Sequence, residues 1–415
     1  WDYDLLQERS LSHSVSCCGM SRQLVLLLVS ALDAAHAQLT YPGSGLELAV
    51  QPVVWSLRND TALTHVVSTR FSLGQGNQTA LVEARLQLLF SLCVPAMVQQ
   101  LRDARFVWLI YYDSTLASEH VAAIAGRLQP LAGSVFLVRE IVLGQSFYSA
   151  QEQLQLAGLW TQPPPGNRVL YLASRLDADD GLPRGAILEL QDGARAALPS
   201  CSRAPPTSAL PHIRHSNSLT HVEPVFASCY TSANEWAPSA RAEAGSLRAR
   251  RSRSGECLSV ALSVASCSSS LAATGKLGNH ARLLGRWKGR RECKRRLSPG
   301  TELQPGLVVR ARTATSDSMS EVLPATAGGA SPISLAQQEF LRSTYAISTA
   351  LLERANRWLV GHEPQVAASQ LEGRCNPGFG CKKAAAGSLL QLARKGRRLR
   401  ADSHGECERW QMGPN

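Results

Sequence analysis

Three carboxylates fall within four residues of one another in the segment Arg175-Leu176-Asp177-Ala178-Asp179-Asp180-Gly181. If the backbone stays extended across Asp177-Ala178-Asp179, the side chains at i and i+2 point the same way, and both can hold one hard divalent cation such as Mn2+ or Mg2+. An ion held there would bridge the phosphate oxygens of a nucleotide. A plainer use is open for the same residues: Asp179 or Asp180 could cap a helix starting near Leu182, with Pro183 in its first turn. A calcium loop of the helix-loop-helix kind does not fit. Counted from Asp177, position 6 is Leu182 in place of Gly, and position 12 is Leu188 in place of Glu.

The acidic segment closes an apolar run of strand length, Arg168 to Leu176, entered through the breaker Pro163-Pro164-Pro165-Gly166-Asn167. Ligands of open α/β sheets sit outside the carboxyl ends of the strands, where these acids stand. Upstream, Leu63 to Phe71 reads as a strand delivering Ser68, Thr69 and Arg70 at its end. A helical pattern with its apolar stripe at Leu81, Leu86, Leu89, Phe90, Cys93 and Met97 spans Thr79 to Gln100. Pro95 should kink or divide it. Phe106 to Tyr111 is the next strand, apolar enough to be covered on both faces, and ends in Tyr112-Asp113-Ser114. A helix over 116–130, a strand from Ser134 to Val142 and a helix from Tyr148 to Trp160 follow. This alternation implies a mainly parallel sheet with right-handed crossovers. Arg70 could pair with phosphate or serve as a surface ion-pair partner of Glu83; Asp113 could simply cap the following helix. No Gly-x-Gly-x-x-Gly follows the first strand, and neither a Walker loop nor a Gly-x-Ser-x-Gly elbow occurs.

Three stretches in order, His65-Val66-Val67-Ser68-Thr69-Arg70-Phe71-Ser72, Phe106-Val107-Trp108-Leu109-Ile110-Tyr111-Tyr112-Asp113 and Ser174-Arg175-Leu176-Asp177-Ala178-Asp179-Asp180-Gly181-Leu182, resemble the putative rhamnosyltransferase family, whose members are similar to GT-A glycosyltransferases. The match runs from about residue 63 to about 195. The resemblance implies an α/β, GT-A-like (Rossmann-like) domain and transfer of a sugar, rhamnose by the family label, from a nucleotide-sugar donor to a glycan or protein acceptor. It implies that Asp177 and Asp179 bind the metal, that Thr69 and Arg70 touch the base, ribose or diphosphate, that Asp113 contacts uracil or ribose, and that Arg175 and Asp180 hold the loop or the sugar. Members continue into an acceptor-binding portion, and in inverting enzymes of this kind a carboxylate from that portion acts as general base. Here Glu223, Glu235 and Glu243 are the nearest acids, and none is singled out as that base.

The two halves of the chain differ in composition. Residues 1–200 hold 13 Lys+Arg against 17 Asp+Glu, and residues 201–415 hold 30 against 15. Met20 to Ala37 has the charged start, short apolar core and small-x-small end of a secretory signal. The sequons Asn59-Asp60-Thr61 and Asn77-Gln78-Thr79 agree with the secretory route. Residues 38–62 read as a linker and 63–198 as the nucleotide-sugar domain. Residues 199–330, rich in Ser, Ala, Arg, Gly and Pro, are expected to be largely disordered. A helix is expected over 331–361, isolated or docked, then a basic tail over 362–415 in which Cys375 and Cys381 could close a small disulfide loop. Of eleven cysteines, Cys93 falls in an apolar helical pattern and reads as a packing residue. Specific nucleic-acid binding is not indicated, and the basic runs carry the alternative function: a catalytically inactive, glycosyltransferase-like protein with a polyanion-binding tail.

Overall fold

Thr61 to Phe71 is apolar or β-branched at nearly every position, and it forms β2, the central strand of a parallel sheet. The structure is a computed structural model, and it describes residues 54–140, 149–199, 201, 225–230, 232–251, 258–267, 293–295, 303, 306–313 and 332–374. The expected signal segment and the Cys375–Cys381 loop lie outside those residues. Ser56–Arg58 (β1) folds back on β2 through a turn at Asn59, whose φ of 55° suits Asn. Val107–Asp113 (β3), Val135–Glu140 (β4) and Arg168–Asp177 (β5) complete the parallel set in the order β5-β2-β3-β4. This is the doubly wound arrangement, in which the strand order reverses between β2 and β5.

Helices cover both faces. Thr79–Leu88 (α1), a π-helical turn at Leu89–Cys93 and Val94–Asp103 (α2) form one long rod. Pro95 enters at the start of α2, and the helix widens immediately before it, since the ring cannot supply the N–H that a regular turn requires. The rod is apolar and long enough to cross a membrane, but 72% of its apolar window is buried inside the protein. With Ser118–Leu128 (α3) and Ala186–Ala197 (α5) it packs on the face carrying Leu63, Val67, Phe71, Trp108 and Leu176. Ala150–Leu156 (α4), started by a full capping box at Ser149 and Glu152, covers the other face at Val66, Leu109 and Ala173.

Among the described residues, six strands lie inside the 199–330 stretch, whose composition favours disorder. Val225–Tyr230 (β7) and Leu258–Ser266 (β10) extend the main sheet as β7-β10-β5, with Cys293–Arg295 (β11) beyond β7. Ser232–Ala237 (β8), Ser246–Arg251 (β9) and Val308–Ala311 (β12) form a second sheet with Asp180–Gly181 (β6), in the order β6-β12-β8-β9. The cause is local. Ser263 in β10, within the Ser-rich stretch, pairs with Ser174 of β5, their hydroxyls 2.6 Å apart in the core. Cys201 and Cys267 form a disulfide that ties the end of α5 to the end of β10.

The helix expected over 331–361 is two helices, Leu335–Tyr345 (α6) and Thr349–Arg374 (α7), and both dock. The Tyr345 hydroxyl takes a bond from Asn234 on β8 (2.6 Å) and donates to the Leu307 carbonyl (2.7 Å). Asn356 receives the Ser239 N–H and donates to the carbonyls of Ala242 and Glu243, fixing the β8–β9 connection to α7.

Candidate functional site

Parallel register aligns Arg70 of β2 with Asp177 of β5 and with Tyr111 of β3. Register partners share a face of the sheet, so Arg70, Asp177 and Tyr111 stand side by side at the carboxyl ends of their strands. The point between β2 and β5 is the one where the strand order reverses, the position at which doubly wound sheets open a crevice. Arg175, two residues before Asp177, lies on the same face. It is 8% exposed, and its guanidinium donates to Asp177 Oδ1 at 3.3 Å. Among the described residues Arg70 has no ion-pair partner, Glu83 included.

Beyond Asp177 the chain does not stay extended. Ala178 and Asp179 make a turn so that Asp180-Gly181 can pair antiparallel with β12, Arg310 opposite Asp180 and Val309 opposite Gly181. The Asp179 carbonyl accepts from the Ala311 N–H at 3.0 Å. The i, i+2 argument therefore does not apply, and it is the turn that groups the acids. Neither Asp179 nor Asp180 caps a helix: α5 starts later, behind Gly185, whose φ of 73° favours glycine.

The turn is pressed against the π-helical part of the rod. A Cβ on Gly181 would lie 2.8 Å from Val309 Cγ1 and 3.1 Å from the Leu92 carbonyl, so no larger residue fits without movement. Gln100, fully buried on α2, donates to the Pro183 carbonyl (2.7 Å) and accepts from the Ile187 N–H (3.1 Å), fixing the chain that leaves the turn.

Burial dominates the electrostatics of the turn. Burial and the nearby Asp177 push Asp179 up to about 6, against the pull of Arg310 and Arg85. Burial and Asp179 raise Asp180 well above the usual carboxylate range, with Arg310 opposing. Asp180 is 0% exposed, and neither of its oxygens has a hydrogen-bond partner; the Arg310 Nε is 3.9 Å away and equally unpartnered. Burial also raises the Cys93 thiol, and Asp180, Asp179 and Asp177 add to that shift. Cys93 is buried, as expected of a packing residue.

Two expected site residues do not join the group. Thr69 faces the opposite side of the sheet, fully buried, its hydroxyl accepting from Trp108 Nε1 at 2.9 Å. Asp113, 5% exposed, accepts from the N–H of Gly74 and from the N–H and hydroxyl of Thr115. Its carboxylate holds the loop after β2 onto the end of β3. Of the acids named as the nearest to the motif, Glu235 is buried and takes Arg312 Nε at 2.6 Å, Glu243 is exposed, and Glu223 lies outside the described residues.

No family model matches the chain, and no curated protein does. Among solved structures it is similar to a mannosyltransferase from Pyrobaculum calidifontis in complex with GDP-mannose and Mn2+, at 13% identity over 92% of this chain and 94% of that one, with a TM-score of 0.27.

Arg310, Gln100 and Gly181 are the residues that sequence reasoning missed. Arg310 sits in Leu307-Val308-Val309-Arg310-Ala311, a short apolar run after Pro305-Gly306. A lone Arg inside such a run was the available signal.

Proposed function

We propose that this chain is a glycosyltransferase of GT-A-like architecture that binds a nucleotide-sugar donor with a divalent cation at the Asp177–Asp180 turn. The observation that carries the reading is the alignment of Arg70 with Asp177 at the reversal point of a doubly wound sheet, beside a turn that adds Asp179 and Asp180. An arginine and a set of carboxylates at one strand end are complementary to a phosphate and to a cation that bridges phosphates.

The donor set suits a hard ion. The chemistry is all carboxylate, and the buried oxygens of Asp180 have no hydrogen-bond partner, a cost that a nearby ligand atom could relieve. Among the described residues no three His, Cys, Asp or Glu side chains form a ready-made metal cage. Mg2+-type sites at nucleotides need only one or two protein carboxylates besides phosphate oxygens. Asp177 and Asp179 would hold the ion, which when bound supplies positive charge to the departing diphosphate. Arg70 is placed to take phosphate oxygens through its planar fork. Arg175 fixes the orientation of Asp177, and Asp180 secures the turn by its strand pairing with Arg310.

Within this reading, the sequence resemblance supports rhamnose as the sugar, and an unidentified glycan or protein as acceptor. Passage through the secretory pathway is supported by the Cys201–Cys267 disulfide and by the exposure of both sequon asparagines, Asn59 and Asn77.

Thermal melts with UDP-, GDP- and dTDP-sugars, each with and without Mn2+, test the proposal. A donor at 100 times its dissociation constant should stabilise the protein by about 2.7 kcal/mol, and only when Mn2+ is present. The double variant Asp177→Asn/Asp179→Asn should lose that response. An unchanged response in the variant would remove the turn as the site.

A further inference from the structure

Arg310 reaches the acidic turn from a different sheet. The pairing of β12 with β6 on one side and β8 on the other sets Asp180, Arg310 and Glu235 in one rung, so their side chains share a face. Glu235 is matched at close range by Arg312, at 2.6 Å. Asp180 has no such partner. Its nearest cation is the Arg310 Nε at 3.9 Å, beyond hydrogen-bonding reach, and Asp177 and Asp179 lie in the field of the same guanidinium. A settled arginine–carboxylate pair closes to about 2.7–2.9 Å. This one stays open although Asp180 and the Arg310 Nε are buried, the Arg310 side chain as a whole being 15% exposed.

We propose that Arg310 is a built-in counter-ion of the turn that a divalent cation displaces, and that the displaced guanidinium then takes a phosphate oxygen of the donor. The inference rests on the metal-site reading above and names a further residue of that site. A small divalent ion held by these carboxylates would approach their oxygens more closely than a guanidinium standing off at 3.9 Å and would outcompete it. An arginine freed beside a bound diphosphate has the planar fork that phosphate accepts. Metal and Arg310 are then antagonists in the empty protein and allies once the nucleotide is bound, which is a coupling between two ligands through one side chain.

Calorimetric titration of the full chain tests this, with Mn2+ alone first, then UDP and GDP at saturating Mn2+. In Arg310→Gln, which keeps a hydrogen-bond donor beside Asp180, Mn2+ alone should bind about tenfold more tightly, and the nucleoside diphosphate about tenfold more weakly. Arg310→Lys keeps the charge and loses the fork, so Mn2+ affinity should match wild type while diphosphate affinity falls. Melting curves establish that each variant is folded, and if Arg310→Gln is not, the Lys variant alone decides through its split effect. Equal Mn2+ affinity in wild type and Arg310→Gln, or undiminished diphosphate binding in Arg310→Lys, overturns the proposal. Failure of wild type to bind Mn2+ at all would overturn the metal-site reading along with it. Binding that is lost in Asp177→Asn/Asp179→Asn but indifferent to Arg310 would overturn this inference alone.

Discussion

Lowering the pH should destabilise this protein through one histidine in the sheet. His65 of β2 is 1% exposed. Its Nε2 lies 2.8 Å from Ser174 Oγ on β5, which is 2.6 Å from Ser263 Oγ on β10, so one chain of bonds crosses three strands. Its Nδ1 faces the amide nitrogen of Gln191 at 3.3 Å, an atom that can only donate; the network thus assigns the ring proton to Nε2. A second proton would set two donors against each other. Burial, with Arg195 adding, lowers the pKa from 6.5 to about 3. Because the native state refuses a proton that the unfolded chain accepts, the stabilisation is whole above pH 6.5 and is lost as the pH falls from there toward 3. At pH 4 the gap amounts to about 2.5 pH units, or about 3 kcal/mol at 1.36 kcal/mol per unit. The assay is urea unfolding at pH 7, 6, 5 and 4 for wild type and His65→Gln. The variant should cost about 1–2 kcal/mol at pH 7 for lost hydrogen bonds, and the two stabilities should converge and then cross toward pH 4. Curves that fall in parallel would refute the burial of His65 between β5 and α5. They would also remove the support it gives to the docking of β10.

Gly181→Ala should cost about 1–3 kcal/mol through overpacking against Val309 and the Leu92 carbonyl, and should abolish Mn2+-dependent stabilisation because the turn moves; denaturant unfolding and the thermal assay read the two effects. Cys201→Ser/Cys267→Ser opens a crosslink spanning 66 residues and should lower stability by about 4 kcal/mol on the chain-entropy estimate, measured by urea unfolding. Thr69→Val orphans the buried Trp108 Nε1 and should destabilise by about 1–3 kcal/mol while leaving UDP and GDP affinity unchanged. Arg70→Gln should do the reverse, weakening nucleotide binding about tenfold with little change in melting temperature.

The parallel half of the fold was legible because strands covered on both faces are rich in apolar and β-branched residues, as β2, β3 and β5 are. Their order along the chain, with helices between, then leaves few topologies. The strands β7, β8 and β10 were not legible. In β10, Ser263 takes a core position and meets its need for hydrogen bonds with Ser174 and, through it, His65, partners far away in sequence. The acids of the site could be named from their position at a strand end, yet their geometry could not, because the turn at Ala178-Asp179 is imposed by β12 from more than a hundred residues away. The same distance hid Arg310. Thr69 and Asp113 show the converse: both stand at strand ends, but strand parity turns Thr69 to Trp108, and the backbone of Gly74 and Thr115 claims Asp113.

The wide turn at Leu89–Cys93 sets the angular phase of everything after it. Each residue of an α-helix advances the chain by about 100°. Deleting one residue there, which would restore a regular helix, would spin α2 by about that angle about its own axis. Gln100 would then face away from Pro183 and Ile187, and the strand end bearing the acids would lose its anchor with every acidic residue still in place. A one-residue deletion in a helix far along the chain from Asp177 is thus expected to disable the site as thoroughly as replacing the aspartates themselves.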